Sequence, residues 1–185
     1  MVMPAPQTEW TPEMLRNLPE DGNRYEVLDG TLVMSPAPAW QHQAMLLRLV
    51  RLVDDYVRHH RLGWTMLSPA DIELSPRTIV QPDLFVVPDE GTGEPRSWTD
   101  VRNLLLVVEG ISPATARNDR GKKRVVYQKA GIPQYWILDP DSRLVERWQP
   151  DDERPEVITD ILEWYPRPEI PPLLITLPYI FGPEK

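Results

Sequence analysis

With 185 residues, 41% of them hydrophobic and 26% charged, the chain is globular rather than disordered and long enough to bury one core. The absence of cysteine excludes a disulfide framework, a thiolate metal site and a cysteine nucleophile, and fits a reducing cytoplasm as the expected location. A net charge of −8 and a pI near 4.9 argue against nucleic-acid binding by bulk electrostatics, since such domains usually carry a basic face.

Taken in chain order, Thr11-Pro12-Glu13 supplies an N-cap, a proline at the first helical position and a first-turn acid. A short helix ending before Pro19 is expected. Arg24 to Leu28 and Thr31 to Met34 flank Asp29-Gly30, a hairpin signal that puts Glu26 on a strand. From Trp40 to His60, Leu46, Leu49, Val50, Val53 and Val57 recur at three- and four-residue intervals, predicting an amphipathic helix stopped by Gly63. Strands are expected over 65–67, 70–74, 79–87 and 104–109, with a Gly-rich loop over 89–95. The segment 104–108 is apolar throughout and is expected to be central, covered on both faces. A second helix is predicted from Ala114 to Ala130, capped by Ser112 or Thr115 and ended by Gly131. Strands over 134–138 and 144–148 follow, joined by the Asp139-Pro140-Asp141 turn. The proline-interrupted pieces 173–177 and 179–181 are expected to lie across the domain. The 22 prolines predict stiffened loops. No signal-peptide pattern opens the sequence and no apolar run reaches about 18 residues, so neither export nor membrane spanning is expected. Together the elements predict an α/β (α+β) fold: a mixed sheet flanked by helices, with an N-terminal hairpin.

Two carboxylates stand where a strand should be buried. Pro82-Asp83 leads the apolar run Leu84 to Val87, and Glu109 ends the run Leu104 to Val108. Buried unpaired charges are costly, so these acids need a counter-charge. If their strands are neighbours, the two can hold one Mg²⁺ jointly, its other positions taken by waters and phosphate oxygens. Such an ion polarises a phosphodiester and lowers the pKa of a bound water. Lys123, on the next helix, is the candidate to orient that water or offset charge developing on the phosphate. Arg117, Arg120, Lys122, Lys123, Arg124 and Lys129 form a local basic run interrupted by one acid, Asp119. Arg120 and Lys122 are therefore candidate substrate contacts, as is His42 near the start of the first long helix.

Structural alternatives stand beside these readings. Asp83 after a proline can cap a turn, and Glu109 can pair with an arginine. Lys123 with Asp119 is also an ordinary i,i+4 helix pair, and the basic run can be a solvated helix face. A lone histidine such as His42 is more often structural or solvated. His59 and His60 point about 100° apart and are expected at the surface, while Tyr127, Tyr135 and Trp136 are expected in the core.

As a set, Pro82-Asp83, Glu109-Gly110-Ile111-Ser112-Pro113, Asp119-Arg120-Gly121-Lys122-Lys123, Tyr127, Gly131 and Tyr135 to Pro140 resemble a large family of bacterial proteins proposed to be restriction endonucleases. That family lies within the PD-(D/E)XK nuclease superfamily, and much of it is otherwise a domain of unknown function. Arg24-Tyr25-Glu26, Asp29-Gly30 and His42 extend the resemblance, which covers roughly residues 8 to 150. It implies a restriction-endonuclease-like core sheet with Asp83 and Glu109 as metal ligands, Lys123 as the catalytic lysine and Glu26 as a further acid. In the superfamily motif the lysine lies two residues after the second acid, where this chain has Ile111. In this family the role is thought to pass to the following helix, which favours Lys123 over Lys122. Gly110 stands where a β-branched residue is more usual, and Gln134 where Glu is common.

The sequence is therefore read as one domain over residues 1–185, with a core of about 20–150 and a C-terminal extension over 151–185. Its expected function is Mg²⁺-dependent (or Mn²⁺-dependent) hydrolysis of DNA phosphodiesters, with a homodimer suited to two cuts in a duplex. The alternative is a catalytically silent member of the same fold that binds nucleic acid or protein. A hydrolase of other phosphoesters suits the acidic pI but has no residue signature.

Overall fold

A computed structural model describes residues 9–18 and 22–183. Helix α1 (Pro12–Arg16) is capped by Thr11, whose hydroxyl accepts a hydrogen bond from Met14 N at 3.3 Å. Strands β1 (Arg24–Leu28) and β2 (Thr31–Ser35) pair antiparallel across Asp29 and Gly30, at φ 49° and 81°. Consecutive positive φ values are the turn geometry that matches strand twist, and glycine adopts them without strain. Helix α2 (Trp40–His59) buries Met45, Leu46, Leu49, Val53, Tyr56 and Val57, the stripe that its periodicity predicts.

Strands β3 (Gly63–Leu67), β4 (Ile72–Ser75), β5 (Thr78–Val80), β6 (Leu84–Pro88) and β7 (Leu106–Gly110) follow. A continuous helical segment comprises α3 (Ala116–Asn118), a π turn (Asp119–Lys123) and α4 (Arg124–Lys129). Strands β8 (Tyr135–Asp139), β9 (Leu144–Trp148), β10 (Glu156–Ile158), β11 (Ile161–Trp164) and β12 (Leu173–Thr176) precede α5 (Leu177–Phe181).

The central sheet has the order β10-β9-β8-β7-β6-β3, with β7 and β8 parallel and the remaining neighbours antiparallel. One face packs on α2, α5 and the β11-β12 hairpin through Val108, Leu84, Trp136, Met45, Leu49 and Ile180. The other face packs through Val107, Phe85, Ile137, Tyr127 and Val126 against the crossover helix and the smaller sheet β2-β1-β5-β4. Strand β7 is buried at every position, as its unbroken apolar run requires. The mixed α+β class expected from the sequence is borne out. Among the described residues, no helix is long and apolar enough to cross a membrane.

Four local expectations are corrected. The segment 79–87 is not one strand: β5 and β6 belong to different sheets, and the chain crosses between them at Gln81-Pro82-Asp83. Pro82 cannot donate to a ladder, so the run breaks there. Gly63 does not stop α2, which ends at His59 with His60 as its C-cap and Arg61 at φ 51°; Gly63 opens β3 instead. The helix over 114–130 is interrupted by the π turn, in which Arg124 N bonds to Asp119 O five residues back. Strands β10 and β11 fall where no element was expected.

Gly63 has φ 143°, and a Cβ there would sit 1.9 Å from Val87 O. Gly63→Ala is expected to destabilise by roughly 2–4 kcal/mol in urea unfolding, the upper range for single substitutions. A loss below about 0.5 kcal/mol, the ordinary surface effect, would mean that β3 does not pack this closely on β6.

Candidate functional site

The crossover geometry assembles the site. Glu109 lies near the carboxyl end of β7, and the helix joining β7 to the parallel β8 returns over the sheet with Lys123 on it. The antiparallel register Leu84↔Val108 sets Asp83, just before β6, beside that same end of β7. Strand parity on β1 puts Arg24 and Glu26 on one face, aimed at both acids.

Lys123 Nζ lies 2.8 Å from Glu109 Oε1, 2.9 Å from Glu26 Oε2 and 3.7 Å from Asp119 Oδ1. Glu109 Oε1 also accepts a hydrogen bond from Tyr127 OH at 2.8 Å, and Glu26 Oε1 accepts one from Gln81 N at 2.7 Å. Asp83 is gripped on both oxygens: Oδ1 accepts from Arg24 Nη1 at 2.7 Å and Oδ2 from Gly110 N at 2.9 Å. His42 Nε2 lies 3.1 Å from Asp83 Oδ2 but off the line of a good hydrogen bond. Arg24, His42, Asp83, Glu109, Ile111, Asp119 and Lys123 line one cavity of about 330 Å³.

Burial dominates the electrostatics. Glu26, Asp83, Glu109, Asp119 and Lys123 are each no more than 4% exposed. Desolvation pushes the Glu109 carboxyl well up despite Lys123, with Asp83, Asp119 and Glu26 adding to the rise. For Asp83 the desolvation is outweighed by the contact with His42 and the charges of His42, Arg24 and Lys123, which hold its carboxyl down at about 2. Burial alone would lower the pKa of Lys123, but Glu109, Glu26 and Asp119 overcome it and raise the pKa above the ordinary value. Lys123 is thus a cation and hydrogen-bond donor, not a base.

Glu26, Asp83, Glu109, Lys123 and His42 are brought together. Arg120 and Lys122 are not: Arg120 binds Asp139 Oδ2 at 2.8 Å and Glu146 Oε1 at 2.6 Å, and Lys122 is exposed outside the cavity lining. Sequence reasoning missed Arg24 as a site residue, although its parity with Glu26 on one strand was available as a signal. It also assigned Tyr127 to the core without seeing its hydroxyl on Glu109. Ile111, where the superfamily motif has lysine, is buried on the apolar cluster beside Tyr127. The departure at Gly110 has a steric basis: a Cβ would lie 2.7 Å from Met45 Cε and 2.9 Å from His42 Cε1. A side chain there would push His42 from Asp83.

The fold matches a crystal structure from Anabaena variabilis described as "a putative nuclease belonging to DUF820", with a TM-score of 0.74, 21% identity, and coverage of 93% of this chain and 97% of that one. The chain belongs to the Uma2 family, described as "Putative restriction endonuclease", whose sequence pattern matches residues 12–177. The family resemblance read from the motifs is borne out. No curated protein matches the chain.

The lowered pKa of Asp83 fixes a pH dependence. A carboxyl held at about 2 instead of 3.8 stabilises the fold above pH 3.8 and loses that contribution as pH falls through about 2. At ~1.36 kcal/mol per unit the contribution is about 2 kcal/mol. The raised Glu109 has the opposite sign, contributing below pH 4.5 and losing it as pH rises, so Asp83 must be isolated by difference. Asp83→Asn is expected to be less stable than the native chain by about 2 kcal/mol or more at pH 6, with the deficit shrinking from pH 4 towards pH 2. A deficit independent of pH in urea titrations would show that Asp83 is not held as the carboxylate.

Proposed function

We propose that the chain is a divalent-metal-dependent nuclease that hydrolyses DNA phosphodiesters at the cavity bearing Asp83, Glu109 and Lys123. The observation that supports this best is the placement of a buried, protonated lysine against two acids on a cavity shared with a third, Asp83. A purely structural ion pair has no need of an open cavity beside it.

The donor set suits Mg²⁺ or Mn²⁺. All its ligating atoms are carboxylate oxygens, the hard donors these ions take. The carboxylates of Glu26, Asp83, Glu109 and Asp119 crowd around Arg24, Lys123 and His42, and burial pushes Glu109 and Asp119 up, so the acids are short of counter-charge. A divalent ion would supply it. Asp83 and Glu109 would hold it, with waters completing the shell; among the described residues no three acidic or histidine side chains converge closely enough to enclose an ion alone. Once bound, it would supply charge neutralisation at the phosphate and a water of lowered pKa. Lys123 keeps its proton and offers its N–H groups to developing negative charge. Tyr127 and Gln81 N hold Glu109 and Glu26 in place while Lys123 is engaged. Gly110 N and Arg24 fix the direction of the Asp83 carboxylate. A homodimer in the cytoplasm would deliver the two cuts a duplex needs.

A second reading, a catalytically silent member that binds nucleic acid or protein, draws on one observation: both Asp83 oxygens and Glu109 Oε1 already accept hydrogen bonds from the protein. Metal titration separates the two. Calorimetry with Mn²⁺ should show binding by the native chain that Asp83→Ala abolishes. Assays with supercoiled, linear and branched DNA and with RNA in Mg²⁺ should show cleavage that Lys123→Ala lowers by about 10²–10³-fold, the range for losing one preorganised charge donor. No metal binding and no cleavage would leave the silent reading standing.

A further inference from the structure

We propose that Arg48 and Arg143 form a second contact for the phosphate backbone of the nucleic-acid strand, next to the cavity of Asp83 and Glu109. This rests on the nuclease reading. A separate cavity of about 720 Å³ is lined by both arginines together with Ser142, Thr159, Tyr179 and Gly182.

The two cavities adjoin at one turn. Pro140 and Asp141 line the first, and the next residues, Ser142 and Arg143, line the second. On α2, Gln41 lines the first cavity and Arg48 the second. Seven residues are two helical turns, so Arg48 shares Gln41's stripe and lies about 10 Å further along the axis. A strand whose reacting phosphate sits in the first cavity therefore reaches the second within a few nucleotides.

Both guanidinium groups converge on Gly182. Arg48 Nη1 donates to Ile180 O at 3.1 Å, and the group packs so close to Gly182 that a Cβ would lie 3.2 Å from Nη1 and Nη2. Arg143 Nη2 donates to Gly182 O at 2.8 Å. Backbone carbonyls carry no net charge, and among the described residues neither arginine has a carboxylate within ion-pair distance. Arg24 and Arg147 each hold one, and Arg120 holds two. Each guanidinium has five N–H donors in a rigid fork suited to phosphate, so anchoring one leaves the others for a ligand. The hydroxyls of Ser142 and Thr159 on the same wall add neutral donors. The competing account, that these arginines only hold the end of α5, predicts a stability loss without any change in how binding responds to salt.

Fluorescence anisotropy of a labelled 20-nucleotide strand and the matching duplex, across a range of salt concentrations without cleavage-supporting metal, tests the proposal. Each phosphate contact steepens the slope of log affinity against log salt by about 0.7 for a single strand and about 0.9 for duplex. Arg48→Ala/Arg143→Ala should weaken binding at least tenfold at low salt and make the slope shallower by about 1.4 to 1.8 on the preferred form. Arg48→Lys/Arg143→Lys, which keeps both charges, should retain the slope. Should the alanine variant fail to fold, hydrogen exchange over residues 177–183 of the native chain should slow when the strand is added. An unchanged slope in a folded alanine variant, a lysine variant that loses slope equally, or no protection over 177–183 overturns the proposal. If DNA is nonetheless cut in Mg²⁺, only this proposal falls; a native chain that neither binds nor cuts nucleic acid takes the nuclease reading with it.

Discussion

The contact on which the architecture depends is the ammonium of Lys123 between Glu109 and Glu26. Glu109 belongs to the central sheet, Glu26 to the smaller sheet, and Lys123 to the crossover helix, so one cation ties three layers together. Arg24 repeats the tie one strand-face position away, joining the smaller sheet to Asp83 at the start of β6. A single face of β1 thereby supplies an acid to the crossover helix and a cation to the start of β6.

Stability alone does not account for such a cluster. Desolvating several charges costs several kcal/mol per ion, and well-packed apolar replacements of similar volume are often neutral or stabilising. Removing one partner is a different matter, because it strands the others without compensation. The cluster therefore constrains itself: once Glu109 is buried, Lys123 is needed, and once Lys123 is buried, Glu26 and Asp119 share its charge. The π turn fits this constraint. It occurs at the segment from Asp119 to Lys123, where both residues face inward, and Tyr135 OH donates to the Asp119 carbonyl at 3.1 Å. Such turns inside α-helices are frequent at functional sites.

Much of this was legible in the sequence because local chemistry and packing agreed. Asp29-Gly30 named its hairpin, the stripe from Leu46 to Val57 named α2, and the apolar run before Glu109 named the central strand. That Asp83 and Glu109 are neighbours could only be supposed from the sequence; the pairing of β6 with β7 sets them side by side. What escaped was set by tertiary context. The 79–87 run is so rich in β-formers that its apolar pattern hid the sheet change, although Pro82 marked it. Strands β10 and β11 are short and among prolines, and each buries only alternate residues or fewer, too little pattern to outweigh the turn signals around them. The π turn has no sequence signature beyond Gly121 in mid-helix, and Arg24 escaped because only pairing across sheets gives it a partner.

Charge is where reading along the chain misled most. The run from Arg117 to Lys129 looks like a basic patch, yet its members are largely spent inside the protein. Lys123 is enclosed by acids, Arg120 is held by Asp139 and Glu146, and Arg124 lies 4.8 Å over the Trp148 ring while bonding Gln128. Among the described residues, only Arg117 and Lys122 of that run are exposed and outside any ion pair, while Lys129 lies 3.6 Å from Asp29. Conversely, Arg48 and Arg143 lie far apart in sequence and meet at Gly182. An acidic chain can thus present positive charge to a polyanion if its acids are consumed pairwise and a few cations are anchored to neutral carbonyls. Net charge governs long-range steering, which salt screens within about 10 Å at 0.1 M, whereas a strand already in a cavity responds to the unpaired groups on the wall. The proposed contact depends on two such cations, which the turn between β8 and β9 and helix α2 bring together against α5.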